Sequence, residues 1–159
     1  EQRIDLTPPL VTDDLPRLHA ALAAARPAAP GDELLLIGRR HKQDCNSWLH
    51  NTPRLTRGKP RHHLLMHPDD LSARGIADGQ RVTVTSRVGS VEVEASGVDD
   101  MMPGVVSLPH GYGHQVPGTR LGHASTVAGV SINDLTDPEL LDVSGNAALS
   151  GVPVQVCAT

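Results

Sequence analysis

The chain has 159 residues, enough for one domain with a real hydrophobic core and too few for a second. Its formal charge of -4 lacks the basic face that general nucleic-acid binding needs, leaving only local basic patches. Two cysteines, Cys45 and Cys157, form neither a CxxC nor a metal-spaced cluster, so no disulfide framework or cysteine-based zinc or iron-sulfur site follows from them. No apolar run near eighteen residues and no charged-then-apolar leader is present, so neither a membrane partner nor export is expected, and the cytoplasm is the expected compartment.

The hydrophobic fraction of 38% is carried almost wholly by Val, Leu, Ala and Ile, with one Trp (Trp48), one Tyr (Tyr112) and no Phe. The core must therefore be aliphatic, and neither aromatic is expected to be filler. With 15 Gly and 13 Pro among short Val-rich runs, composition favours many short strands and tight turns: a mainly β class.

In chain order, residues 13–25 carry Leu15, Leu18 and Leu22 at helical spacing behind two aspartates and predict one amphipathic helix, ended by "RPAAPGDE". Residues 1–30 are expected to be a helical lead-in from a preceding domain, and 31–159 the main domain. "LLLI" from Leu34 and "HLLMH" at 63–67 predict short strands, and "RVTVTSRVGSVEVEASGV" at 81–98 predicts a hairpin. Between them "HPDDLSARGIADGQRV" predicts a Pro-led helix opening on Asp69 and Asp70, capped near Gly75, then a turn at Asp78-Gly79. "GVVSLP" (104–109) and "VPVQVCA" (152–158) complete six strands, which can close into a barrel and so remove exposed edges.

Two long segments, 38–62 and 110–151, show no strand pattern and are rich in Gly, His, Asn, Ser and Pro. Loops of this length in a small domain are functional or disordered. Their apolar insertions (Leu49, Leu55, Leu121, Val130, Ile132, Leu135, Leu140, Leu141) predict that they are packed.

Three constellations lie in these loops. In "GRRHKQDCNSWLHN", Arg39, Arg40, His41 and Lys42 end a strand, where guanidinium forks and backbone N–H groups suit a phosphate. Asn46, Ser47, His50 and Asn51 suit a heterocycle edge. Trp48 offers a stacking surface or a lid on the aliphatic core, and a solvated basic loop accounts for the same composition. In "PHGYGHQ", His110 and His114 are four apart, but Gly111 and Gly113 disfavour the helix that a metal pair needs. Two histidines bonding to backbone or ligand fit better. In "GVSINDLTD", Asn133 falls in an apolar stretch, where it is expected to be buried and to find a partner, either its own backbone or a ligand. The hydrolase, P-loop, dinucleotide and zinc-protease motifs are absent.

Taken in order, "LLLIGRRHKQDCNSWLHN", "LLMHPDDLSARGIADGQRVTVTSRVGSVEVEA", "MMPGVVSLPHGYGH" and "SINDLTD" with "SGNAALSGVPVQV" resemble the C-terminal molybdopterin-dinucleotide-binding domain of molybdopterin oxidoreductases, the dimethyl sulfoxide reductase family. The resemblance covers residues 31–159. It implies a six-stranded double-psi β-barrel with short helices and long ordered loops, supplying one wall of the site for bis(molybdopterin guanine dinucleotide) with Mo or W.

By the same resemblance Arg39, Arg40, His41, Asn46, Ser47, Trp48, His50 and Asn51 map onto the pterin and pyrophosphate. His110, Gly111, Tyr112 and His114 lie near the cofactor, and Asn133 bonds a pterin edge. The implied partners are the remaining domains of the same polypeptide, with an iron-sulfur cluster possible in its N-terminal part. The metal's protein ligand comes from another domain, so Cys45 is not assigned to it and the chain alone is expected to have no turnover. A stand-alone double-psi barrel acting as an adaptor or substrate-binding module is the alternative; a small metalloenzyme built on His110 and His114 is a third.

Overall fold

The computed structural model describes residues 4–24, 33–127, 129–141 and 145–159. Six strands, β1 (Glu33–Arg39), β2 (Leu64–Met66), β3 (Arg81–Thr85), β4 (Ser90–Gly97), β5 (Val105–Pro109) and β6 (Val152–Ala158), close into a barrel in the order β1-β5-β2-β4-β3-β6. Each expected strand is present. β5 inserts between β1 and β2, and β2 between β5 and β4, so the two halves of the chain interlock as a six-stranded double-psi β-barrel. The pairs β1–β5 and β2–β4 are parallel, and the other four pairs are antiparallel.

Strict alternation explains the core. β1, β4 and β6 bury every second residue, because successive side chains of a strand point to opposite faces. Leu34, Leu36, Leu64, Met66, Val82, Val84, Val93, Ala95, Val106, Leu108, Val154 and Val156 fill the inside, and Ile132 and Leu135 close it. The barrel is small enough for aliphatic side chains to fill without an aromatic.

Helix α1 (Pro9–Thr12) and helix α2 (Leu15–Ala24) precede the barrel. The expected helix is there, but Leu15, Leu18 and Leu22 are exposed. Its stop signal and the 30/31 boundary lie outside the described residues. Helix α3 (Pro68–Ala73) starts as expected, with Pro68 in its first turn and the His67 imidazole accepting the Asp69 N–H at 3.1 Å. Among the described residues no helix is long and apolar enough to cross a membrane.

Beyond the end of β1, the described residues of the long segments form no strands of their own apart from one isolated bridge, Leu141 to Ala147. The expectation that their apolar insertions pack is met by Ile132 and Leu135. It fails for Leu55, Leu121, Leu140 and Leu141, which are exposed. What holds these loops is largely polar. Arg87, at the β3–β4 turn, forks onto the buried Asp137 carboxylate, with one arm at 2.6 Å, and reaches Glu139 at 3.0 Å. Arg39, the last residue of β1, donates from Nη1 to the Ser107 carbonyl (2.5 Å) and from Nη2 to the carbonyls of Arg61 (3.0 Å) and His63 (2.6 Å). It thereby ties β1 to β5 and to the segment entering β2.

Two stability outcomes follow. Leu36→Ala is expected to lower unfolding free energy by about 2–5 kcal/mol, whereas Leu35→Ala on the outer face is expected to cost less than about 1 kcal/mol; urea denaturation measures both. Arg39→Ala strands three carbonyl acceptors at the rim and is expected to cost about 2–4 kcal/mol in the same assay. A loss below about 0.5 kcal/mol would mean that water replaces the guanidinium.

Candidate functional site

Because β1 and β5 run parallel with Arg39 opposite Pro109, the loops that follow them leave the barrel at the same rim. Residues 40–63 and 110–131 therefore meet. Their contact centres on a residue that sequence reasoning missed: Asp44, only 2% exposed in a loop otherwise dense in cations. Its Oδ1 accepts from Arg61 Nη2 at 2.5 Å, its Oδ2 accepts from the Tyr112 hydroxyl at 3.4 Å, and His50 Nε2 stands 3.4 Å from Oδ2. Burial pulls the carboxyl up, but the bond and charge of Arg61, helped by His50, outweigh it and hold Asp44 below the usual carboxylate value.

Around this ion pair the imidazoles pack at tilted and edge-to-face angles. The Tyr112 ring has His50 at 4.4 Å and His62 at 4.5 Å, and His50 meets His114 edge to face at 5.0 Å. His50 Nδ1 and His114 Nε2 are 2.7 Å apart and both rings are buried. His62 accepts the Val130 N–H at 3.0 Å, and burial pushes its imidazole down to about 4. Burial also raises the Tyr112 phenol and lowers His41, His110 and His114. At neutral pH His41, His62, His110 and His114 are therefore neutral imidazoles beside one ion pair.

The backbone makes such contact possible. Cys45 and Asn46 take left-handed φ of 44° and 59°, which is strained for Cys and tolerated by Asn. Gly111, at φ 90°, lies so close to the Asn46 carbonyl that no Cβ fits. Likewise a Cβ at Gly38 would collide with the His110 imidazole. Cys45 itself is exposed and free.

The candidate residues therefore separate into two layers. Arg39 and Asn51 serve the protein itself: the fork of Arg39 is committed to carbonyls, and Asn51 Oδ1 accepts the His123 (3.0 Å) and Ala124 (3.1 Å) N–H groups at the start of the 3-10 turn Ala124–Val127. His50, Tyr112 and His114 belong to the buried cluster. Arg40, Asn46 and Trp48 are exposed, and Arg40 makes no hydrogen bond or ion pair among the described residues. Trp48 is 84% exposed, so it is no lid on the core. Asn133 is exposed rather than buried; its N–H is capped by Ser131 Oγ at 3.2 Å, and it lines a recess of about 540 Å³ with Val88 and Thr136. Among the described residues no group of three or more His, Cys, Asp or Glu is arranged to hold a metal ion. Arg61 and His62 join Asp44 as residues unmarked by any sequence signal, because their importance comes from partners far along the chain.

The donors at this rim fit an anionic ligand. Arg39 Nε and His41 Nε2 are buried without a protein acceptor, and Arg40 and Lys42 stand exposed beside them. This is the donor set that phosphate oxygens require.

The model of the Molydopterin dinucleotide binding domain family matches residues 34–153. A tetrathionate reductase chain of Salmonella typhimurium (strain LT2) is 33% identical over 122 residues, 65% of this chain and 12% of that protein. Biotin sulfoxide reductase of Cereibacter sphaeroides is 38% identical over 85 residues, 52% of this chain and 11% of that protein. The aligned stretches thus span about an eighth or less of these relatives. Acetylene hydratase from Pelobacter acetylenicus superposes over 100% of this chain and 21% of its own, with a TM-score of 0.67 at 17% identity, a likeness of fold. With a family model covering most of its length, all of it within the barrel and the two rim loops, the chain belongs to the molybdopterin-dinucleotide-binding domain family of the molybdopterin oxidoreductases.

Proposed function

We propose that this domain forms one wall of a bis(molybdopterin guanine dinucleotide) site in a larger molybdenum or tungsten oxidoreductase, and that its rim loops grip the anionic part of the cofactor. The supporting observation is the convergence, within the family-matched residues, of exposed Arg40 and Lys42 with the unpaired buried donors Arg39 Nε and His41 Nε2. When bound, the cofactor supplies two-electron chemistry at its metal. The chain's own contribution is to bind and orient. Arg40 and Lys42 meet phosphate oxygens, Asn46 and Trp48 meet the heterocycle, and Asn133 contributes a hydrogen bond at the far edge.

The remaining domains of the same polypeptide would supply the metal ligand, the substrate pocket and any iron-sulfur cluster. Relatives named as reductases of tetrathionate and biotin sulfoxide point to a reductive reaction on a sulfur compound. An adaptor role without redox chemistry would leave the rim donors without a ligand to serve.

Metal analysis and pterin fluorescence of the full-length protein test this directly; absence of both overturns it. In that protein Arg40→Ala and Asn133→Ala are expected to lower cofactor content several-fold while shifting stability by no more than about 0.5 kcal/mol, because both side chains are exposed. Unchanged metal content in both variants would remove these residues from the grip.

The buried imidazoles give a pH signature. A base whose folded value is depressed, as for His62, is bound to a proton more readily in the unfolded chain, so stability falls as pH drops. For His62 the loss begins near the ordinary value of 6.5 and is complete near 4, with His41, His110 and His114 acting in the same direction. Asp44 extends the loss to lower pH as its depressed carboxyl protonates. His62→Gln is expected to shallow the fall in melting temperature between pH 6.5 and 4; an identical slope would show that His62 is not held neutral.

A further inference from the structure

Among the described residues, five buried side-chain nitrogens have no hydrogen-bond partner in the protein, and two of them, His50 Nε2 and Arg61 Nε, belong to residues lining one cavity. That cavity offers about 30 Å³ to the centre of a water molecule, where roughly 10–15 Å³ is enough for one. We propose that it is a hydration site: one ordered water accepts from Arg61 Nε–H, bonds His50 Nε2 and donates to the Tyr112 hydroxyl oxygen. This water completes the junction of the two rim loops, whether or not a cofactor is held above it.

The three side chains are brought together by one carboxylate. Arg61 Nη2 donates to Asp44 Oδ1 at 2.5 Å, and the Tyr112 hydroxyl donates to Oδ2 at 3.4 Å. His50 Nε2 stands 3.4 Å from the same Oδ2 but makes no hydrogen bond to it. All three residues line the cavity, and each keeps bonding capacity that the protein does not use. Arg61 has its Nε–H, His50 has Nε2, and the Tyr112 oxygen, being a donor to Asp44, retains its lone pairs. The hydroxyl of Thr56, also in the wall, is already engaged with the Thr52 carbonyl and with His123. Ala124 and Val127 add apolar surface. Three polar groups in need of a partner match the roughly three hydrogen bonds a buried water makes.

Water suits the site for either protonation state of His50. If Nε2 is bare, the water accepts from Arg61 and donates to His50 and Tyr112. If Nε2 carries a proton, the water accepts from both Arg61 and His50 and donates to Tyr112. Neither case leaves a buried nitrogen unpaired, and His50 is only 4% exposed, so bulk water cannot serve in its place. An anion fits less well, because the Asp44 carboxylate stands beside the same groups and already matches the charge of Arg61. A cation would face Arg61, and among the described residues no group of three or more His, Cys, Asp or Glu is arranged to hold a metal. Arg39 and His41 are not among the lining residues, which separates their nitrogens from this site.

Crystals of the 159-residue chain, grown with bromide in place of chloride and measured before and after xenon pressurisation, test the proposal without any cofactor. The expected result is one density peak in the cavity within about 2.7–3.2 Å of Arg61 Nε, His50 Nε2 and the Tyr112 oxygen, with no bromide anomalous signal and no xenon. A bromide signal overturns it in favour of an anion site, and xenon in favour of a dry apolar cavity. A cavity without density, or a peak that reaches only one of the two nitrogens, overturns it as well. Metal content of the full-length protein reports the cofactor reading separately, so the two can fail independently.

Discussion

A carboxylate buried at the rim of a barrel must be neutralised where it sits, and Asp44 draws its partners from three places in the chain. Arg61 comes from the segment entering β2, His50 from the same loop, and Tyr112 from the loop after β5. Breaking such a pair by removing one partner leaves an uncompensated buried charge, which is strongly destabilising. The loops are consequently held in one arrangement. That arrangement depends in turn on the parallel pairing of β1 with β5, which sends both loops off the same rim.

The same constraint explains why the loops need so little apolar packing. Leu55, Leu121, Leu140 and Leu141 remain exposed, whereas imidazoles, a phenol and two guanidinium groups occupy the junction. Hydrogen bonds to buried charges are directional and expensive to leave unmade. A polar junction of this kind specifies geometry more sharply than leucine contacts do. It also explains the strained pair Cys45 and Asn46: with left-handed backbone at both, the Asn46 carbonyl comes against Gly111, where any Cβ would intrude.

The barrel was legible in the sequence because its rule is local. Alternation in "RVTVT" and "VEVEA" reports which side chains face inward, and Gly79 and the His67–Pro68 helix start are punctuation readable within a few residues. The loops obey no local rule. Arg39 reads as a phosphate ligand because it ends a strand beside other cations, yet its fork is spent on carbonyls 22, 24 and 68 residues away. Asn51 reads as a heterocycle contact and instead caps a turn more than seventy residues on. Asp44, Arg61 and His62 carry no pattern, since each is defined by a partner that only the closed barrel brings near. Trp48 shows the converse, a lone aromatic whose exposure no periodicity could announce.

A cofactor wall has to satisfy two demands that conflict within a single side chain: it must hold its shape, and it must offer unpaired donors to the ligand. This rim separates them by depth. The inner layer, Asp44 with Arg61, Tyr112, His50 and His62, is hydrogen-bonded within the protein, although Arg61 Nε and His50 Nε2 have no partner. The outer layer, Arg40, Lys42, Asn46 and Trp48, is exposed. Rigid support beneath a recognition surface lowers the ordering cost that binding must otherwise meet. Between the layers lie Arg39 and His41, each half-buried and each with one buried nitrogen lacking a hydrogen-bond partner. Such orphans are costly where nothing reaches them, and with Arg61 Nε, His50 Nε2 and His63 Nδ1 they fall, among the described residues, within positions 39–63, so the polar demand the chain leaves unmet is concentrated where the first loop crosses the rim.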